Sequence, residues 1–329
     1  MHLAYAHHGR QFFFLTICVR GRLAVLSRPD LTRAGSCVKA LWLAIHGLNP
    51  ALSAGEFAMM PDHMHLLLIV NYNRDPDFRP LVFLHWFMEE SARMIAGVTK
   101  DGGNAPEPPL PTAIRATYRS GAYGGLGSQS PSFAAFWEDR FWLDLSFDER
   151  HLAAIRRYIR GNPARALWKR RHPDRFACHP HIRHRILDSD LTWSACGELT
   201  LLASPFLLAV SLTRRKTLAE HEPEIAALVE KARQGWIIVC GFLSPGEKEL
   251  ARRLREESRT RWIKTLAQGL PPRYDPSFAD SRELAAGRLL ILSALPFGAP
   301  FDWNSCHKMN TLAAEMCRRA RGEIQKRRT

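Results

Sequence analysis

The chain predicts an α+β protein: an antiparallel sheet covered by helices, followed by a second, Rossmann-like α/β domain. Three observations lead there. Aromatic and β-branched runs alternate with helically spaced segments in the first half, apolar runs of strand length alternate with capped helices in the second, and the composition changes around Asp188 to Gly197. A length of 329 residues is enough for two cores, which we place at 1–188 and 189–329.

Phe12 to Val19 is aromatic and β-branched and reads as a buried strand. Leu31 to His46 carries Leu31, Val38, Leu41 and Ile45 at helical spacing. The stretch from about Glu56 to Val70 reads as a strand edged by Pro61, and Phe83 to Ile95 as a second helix. Gly97 to Ser132 is rich in Gly, Pro and Ser and reads as a long loop. Ser146-Phe147-Asp148-Glu149 then opens a helix, with Ser146 as cap and Glu149 closing a capping box. Leu152, Ile155 and Ile159 form its stripe, and Asn162-Pro163 is expected to stop it.

In the second half, Leu199 to Leu212 contains a strand, and Glu222 to Gln234 is a helix stopped by Gly235. Trp236 to Cys240 is a buried strand. Ser244-Pro245-Gly246-Glu247 starts a helix with Ser as cap, Pro in the first position and Glu closing the box. Arg288 to Leu292 is a further strand and Cys306 to Lys326 a final helix.

Charge narrows the partners. There are 46 Lys+Arg against 32 Asp+Glu, a net +14, which favours a polyanion such as nucleic acid. Arg150 to Arg185 holds eleven basic residues and one acid, with Trp137, Trp142 and Trp168 in or near the block. Flat aromatics stack on unpaired bases, although core packing explains a tryptophan equally well. Seven cysteines without paired spacing suggest neither a disulfide framework nor a zinc site and fit a reducing cytoplasm. No signal peptide and no membrane span is expected; Leu199 to Leu212 is too short and is interrupted by Ser204 and Pro205.

The chemistry concentrates in two segments. In Met60-Pro61-Asp62-His63-Met64-His65-Leu66, strand alternation puts His63 and His65 on one face, where two imidazoles can grip a divalent metal. In Tyr158-Ile159-Arg160-Gly161-Asn162-Pro163, Tyr158 is a nucleophile for a phosphate, and Asn162, four residues on, shares its helix face and can offer a third, oxygen ligand. Arg156, Arg157 and Arg160 can assist electrostatically. Each element alone has a structural explanation; their joint occurrence is what points to phosphodiester chemistry.

Four ordered blocks resemble the IS200-like (Y1, HUH) transposases, in their REP-associated tyrosine transposase branch. They are Phe13-Phe14-Leu15-Thr16; Met60 to Leu68; Trp137-Glu138-Asp139-Arg140-Phe141-Trp142; and Tyr158 to Ala166. The resemblance implies an HUH, ferredoxin-like sheet domain in which His63 and His65 hold Mg²⁺ or Mn²⁺ and Asn162 takes the third-ligand place. It implies that Tyr158 attacks single-stranded DNA beside hairpins, forms a 5′-phosphotyrosine and releases a 3′-hydroxyl for strand transfer. Arg140, Trp142, Arg156, Arg157, Arg160, Arg165, Lys169, Arg170 and Arg171 would meet the DNA. The chain departs from the family in its longer Gly97–Ser132 segment and in continuing past the usual end.

The second domain resembles, only loosely, the Rossmann-like domain of DNA-processing protein A. Its turn Cys240 to Glu247 joins a strand to a helix start, a place where phosphates bind. Cys178-His179-Pro180-His181 and Cys306-His307 lack a second spaced pair and read as ordinary. Two other readings stay open: a hairpin-binding protein without catalysis, and a nucleotide-binding or nucleotide-processing enzyme acting through the second domain. A homodimer is also left open.

Overall fold

The computed structural model describes residues 9–28, 30–101, 136–146 and 148–326. The chain divides into two compact units, Met1–Ala166 and Leu167–Thr329. This division lies ahead of the 188/189 boundary expected from composition. The reason is local: Cys178–Ile182 pairs with Trp193–Gly197 in the second sheet, and Ile186 and Leu187 pack in the second core.

The first unit is a four-stranded antiparallel sheet in the order β2-β3-β1-β4. Its strands are β1 (Arg10–Val19), β2 (Leu52–Met59), β3 (His63–Asn71) and β4 (Trp137–Ser146). Helices α1 (Arg33–Ala44) and α2 (Pro80–Asp101) lie between them in sequence, and α3 (Glu149–Arg171) follows. Alternation sorts the strands. Phe13, Leu15, Ile17 and Val19 of β1 and Met64, Leu66, Leu68 and Val70 of β3 join α1 and α2 in the main core. The opposite face carries Phe12, Phe14, Ala58 and Leu67 against Leu152, Ile155 and Ile159 of α3. His63 and His65 share the parity of Leu67, so they face α3.

Several expectations change. The histidine segment is half of a hairpin, with Pro61 and Asp62 in its turn. Trp137 to Ser146 is an edge strand rather than part of a loop. The helix expected to stop at Asn162-Pro163 continues to Arg171 with Pro163 inside it. Burial of Ile159 and Arg165 on either side outweighs a proline cost of about 3 kcal/mol. Ser146 ends β4, and the cap passes to Asp148, whose Oδ1 accepts the His151 amide at 2.7 Å. Helix α2 reaches Asp101, and most of the Gly97–Ser132 segment lies outside the described residues.

The second unit is a six-stranded mixed sheet. Strands β5 (Cys178–Ile182), β6 (Trp193–Gly197), β7 (Leu207–Ala209), β8 (Ile237–Cys240), β9 (Trp262–Thr265) and β10 (Leu289–Ser293) take the order β5-β6-β10-β9-β8-β7. Strands β7 to β10 are parallel; β6 pairs antiparallel with β10, and β5 antiparallel with β6. The parallel strands are joined through α4 (Leu218–Arg233), α5 (Pro245–Glu256) and α6 (Phe278–Ala285), which pack on one face. The last helix, α7 (Trp303–Lys326), covers the other with Met309, Ala313, Met316 and Cys317. Among the described residues no helix is long and apolar enough to cross a membrane.

Candidate active site

The face of the first sheet that meets α3 gathers the polar residues. Thr16 of β1 and Ala58 of β2 are the cross-strand neighbours of His65, and Trp142 of β4 is the neighbour of Thr16. Tyr158 reaches in from α3. Its ring lies 5.1 Å from that of His65 and 5.8 Å edge-on to Phe14, while the rings of His63 and His65 are 4.8 Å apart. Residues nearly a hundred positions apart therefore share one site. Tyr158 is 38% exposed.

Each imidazole is held from behind. His63 Nδ1 donates to Asp62 Oδ1 at 2.7 Å, and Asp62 is also met by Arg22 at 3.3 Å. Arg22 takes a left-handed φ of 55°, an uncommon conformation for a side chain of its size, where the chain turns toward Asp62. His65 Nδ1 lies 2.8 Å from Thr16 Oγ1. With Nδ1 engaged on both rings, Nε2 is the nitrogen left to face a ligand. Burial, His63, Arg165 and Arg22 together push His65 down to about 3, so its ring stays neutral and its lone pair is available.

Asn162 is the residue expected to add an oxygen donor to the two histidines. It sits one turn after Tyr158, and its buried side-chain nitrogen has no hydrogen-bond partner. That nitrogen carries N–H groups and donates hydrogen bonds; only the amide oxygen of Asn162 could ligate a metal. Among the described residues, no group of three His, Cys, Asp or Glu could hold a metal. Imidazole is a general transition-metal ligand, whereas Mg²⁺ and Mn²⁺ favour oxygen donors.

The expected DNA-binding residues fall into groups. Arg165 is buried, with its guanidinium carbon 5.6 Å from the Tyr158 ring centre. Arg156 and Arg160 both reach Glu56 of β2, at 3.3 and 2.5 Å. Glu56 lies at a bulge between Ala54 and Phe57, which re-aims the strand there. Arg157 is exposed on α3. Arg140 and Trp142 are both exposed, Trp142 by 65%; Arg140 lies where the register of β4 against β1 shifts. Lys169, Arg170 and Arg171 belong to the second unit; Lys169 pairs with Asp275 at 2.8 Å and the two arginines are exposed. Of the other tryptophans, Trp137 is core and its Nε1 donates to Ser91, while Trp168 packs on Phe278.

Thr16, Asp62, Glu56 and Arg22 escaped the sequence reading as site residues. A lone threonine on the second face of an apolar strand, and an aspartate directly before the first histidine, were the available signals.

No protein-family model matches the chain, and no curated protein does. Two solved structures are similar to about half of it. One, of a candidate transposase from Deinococcus radiodurans R1, is 18% identical over 49% of this chain and 96% of its own, with a TM-score of 0.28. The other, a REP-associated tyrosine transposase bound to a REP hairpin, is 17% identical over 51% of this chain and 74% of its own, with a TM-score of 0.29. Half of this chain is similar to transposase structures. Likeness this distant carries no argument about chemistry, which rests on the geometry above.

Proposed function

We propose that the first unit is an HUH-type tyrosine transposase that cleaves single-stranded DNA beside hairpins and transfers the strand. The observation that carries this reading is the approach of Tyr158 on α3 to the paired histidines of β3, with ring centres 5.1 Å apart at His65.

Tyr158 Oη forms a bond to the scissile phosphorus while the bond from phosphorus to the 3′-oxygen breaks. The phenol loses its proton and the departing oxygen gains one, leaving a 3′-hydroxyl and a 5′-phosphotyrosine. Attack by another 3′-hydroxyl on that phosphotyrosine reverses the exchange and completes strand transfer. His63, His65 and Asn162 would hold Mg²⁺ or Mn²⁺, which neutralises a non-bridging phosphate oxygen when bound. Arg165, beside the Tyr158 ring, adds fixed positive charge where the phosphate arrives. Exposed Arg140 and Trp142 offer the backbone a cation and an unpaired base a flat face.

The test uses single-stranded hairpin oligonucleotides labelled on either side of candidate cleavage sites, incubated with the protein and Mn²⁺. A denaturing gel is expected to show a covalent protein–DNA species that disappears in Tyr158→Phe. Tight hairpin binding without that species would instead favour a binding protein lacking catalysis.

A further inference from the structure

The second unit has a cavity at the carboxyl ends of its parallel strands, independent of the chemistry at Tyr158. Its volume is about 510 Å³. The segments after β7 and β8 and the first turns of α7 line it, among them Ser211, Arg214, Phe301, Trp303, His307 and Asn310. Crevices at this end of a parallel sheet are the usual ligand sites of open α/β folds.

The expected phosphate seat is already filled by the chain itself. Phe242, at a left-handed φ of 55°, turns the segment after β8 into the start of α5. There the buried Glu247 carboxylate accepts the amides of Leu243 at 2.7 Å, Ser244 at 3.1 Å and, from the β7 side, Leu212 at 3.0 Å. The start of α7 is treated alike: Asp302 Oδ1 accepts the Ser305 amide at 2.8 Å. Both helix starts that open on the cavity thus hold a carboxylate where an anion would sit, which disfavours a phosphate there.

What remains for a ligand is flat and polar-edged. Trp303 and His307 stack face to face, with ring centres 4.9 Å apart and planes within 5°. Trp303 is nevertheless 74% exposed and Phe301 54%. Ser211 and Asn310, 3.4 Å apart, supply a hydroxyl and an amide. We propose that this cavity binds a nucleobase, which extends the Trp303–His307 stack and presents its edge to Ser211 and Asn310. The exposed run Arg214-Arg215-Lys216 lies where a sugar-phosphate tail would leave toward solvent. The base comes either from a free nucleoside or from single-stranded nucleic acid; the recognition chemistry is shared.

The full chain is titrated with adenosine, guanosine, cytidine and thymidine and, separately, with a short single-stranded oligonucleotide, following intrinsic tryptophan fluorescence. Saturable quenching by a nucleoside, weakened about tenfold or more in Trp303→Ala and in His307→Ala, supports the site, because base–aromatic stacking is of that strength. Affinity for the oligonucleotide alone that falls in both variants also supports it and assigns the base to a strand. Equal behaviour of wild type, Trp303→Ala and His307→Ala toward every probe overturns it. Trp303 and His307 are exposed, so both variants should keep the wild-type melting temperature. Tyr158→Phe should bind nucleosides unchanged, so failure at either site is read separately.

Discussion

Thr16 and His65 are direct cross-strand partners, and the threonine hydroxyl lies 2.8 Å from His65 Nδ1. Strand β1 thereby fixes the His65 ring, whose Nε2 is the nitrogen proposed to face a metal. Thr16→Val keeps the shape and removes the hydroxyl, and Asp62→Ala removes the corresponding support of His63. Each should weaken Mn²⁺ binding by about 10–100-fold, the usual effect of losing such a supporting contact. Mn²⁺ titration followed by electron paramagnetic resonance checks this without relying on cleavage. Unchanged affinity in both variants would mean that the rings need no such support.

Trp142 stands 65% exposed on the edge strand, on the face that carries Thr16. Trp142→Ala should leave folding unaffected and cost about 1–3 kcal/mol in single-stranded DNA affinity, the value of one stacked base. Oligonucleotide anisotropy would show it. Equal affinity of variant and wild type would place the bases elsewhere.

Local signals were legible and distant ones were not. The box Ser244-Pro245-Gly246-Glu247 could be read directly, because both of its reciprocal hydrogen bonds form within four residues. The parity of His63 and His65 was equally local. Pro163 misled because a proline stop is a local rule, and the burial of Ile159 and Arg165 that overrides it is tertiary. In β4 the alternation of Phe141, Leu143 and Leu145 is a strand signal, but the acidic and basic residues Glu138, Asp139, Arg140 and Asp144 between the apolar ones weaken it. Nothing in the sequence links Glu56 to Arg156 and Arg160, a hundred positions later; only the bulge in β2 and the docking of α3 do.

That link has a consequence for DNA binding. Burial raises the Glu56 carboxyl, but hydrogen bonding at its own backbone and the Arg160 and Arg156 guanidinium groups outweigh it, leaving its pKa below the usual range. Glu56 therefore stays ionised and engages two arginines of the helix that carries Tyr158. Glu56→Gln should release them, tightening single-stranded DNA binding at low salt. The slope of log affinity against log salt should steepen by roughly 0.7 per added phosphate contact. An unchanged slope would show that neither arginine reaches the backbone.

In the second unit Asp280 of α6 ties three elements together. It is 2% exposed and accepts Lys264 of β9 at 2.7 Å and Arg255 of α5 at 3.1 Å. Burial pushes its carboxyl up, yet Lys264, Arg255 and Ser277 pull harder, and the net shift is downward. A depressed carboxylate contributes stability that is present above its unfolded pKa and lost as pH falls through the lower folded value. Wild-type protein should therefore hold this contribution at neutral pH and lose it in acid. Asp280→Ala leaves two half-buried cations without their buried carboxylate and should cost about 1–3 kcal/mol at pH 7. For a unit of this size that lowers the melting temperature by roughly 2–12 °C. The gap between variant and wild type should close as the pH falls below the ordinary aspartate range. Melting curves of the full chain from neutral to acid pH test both statements, and a gap that persists in acid would show that Asp280 acts through packing rather than through its charge.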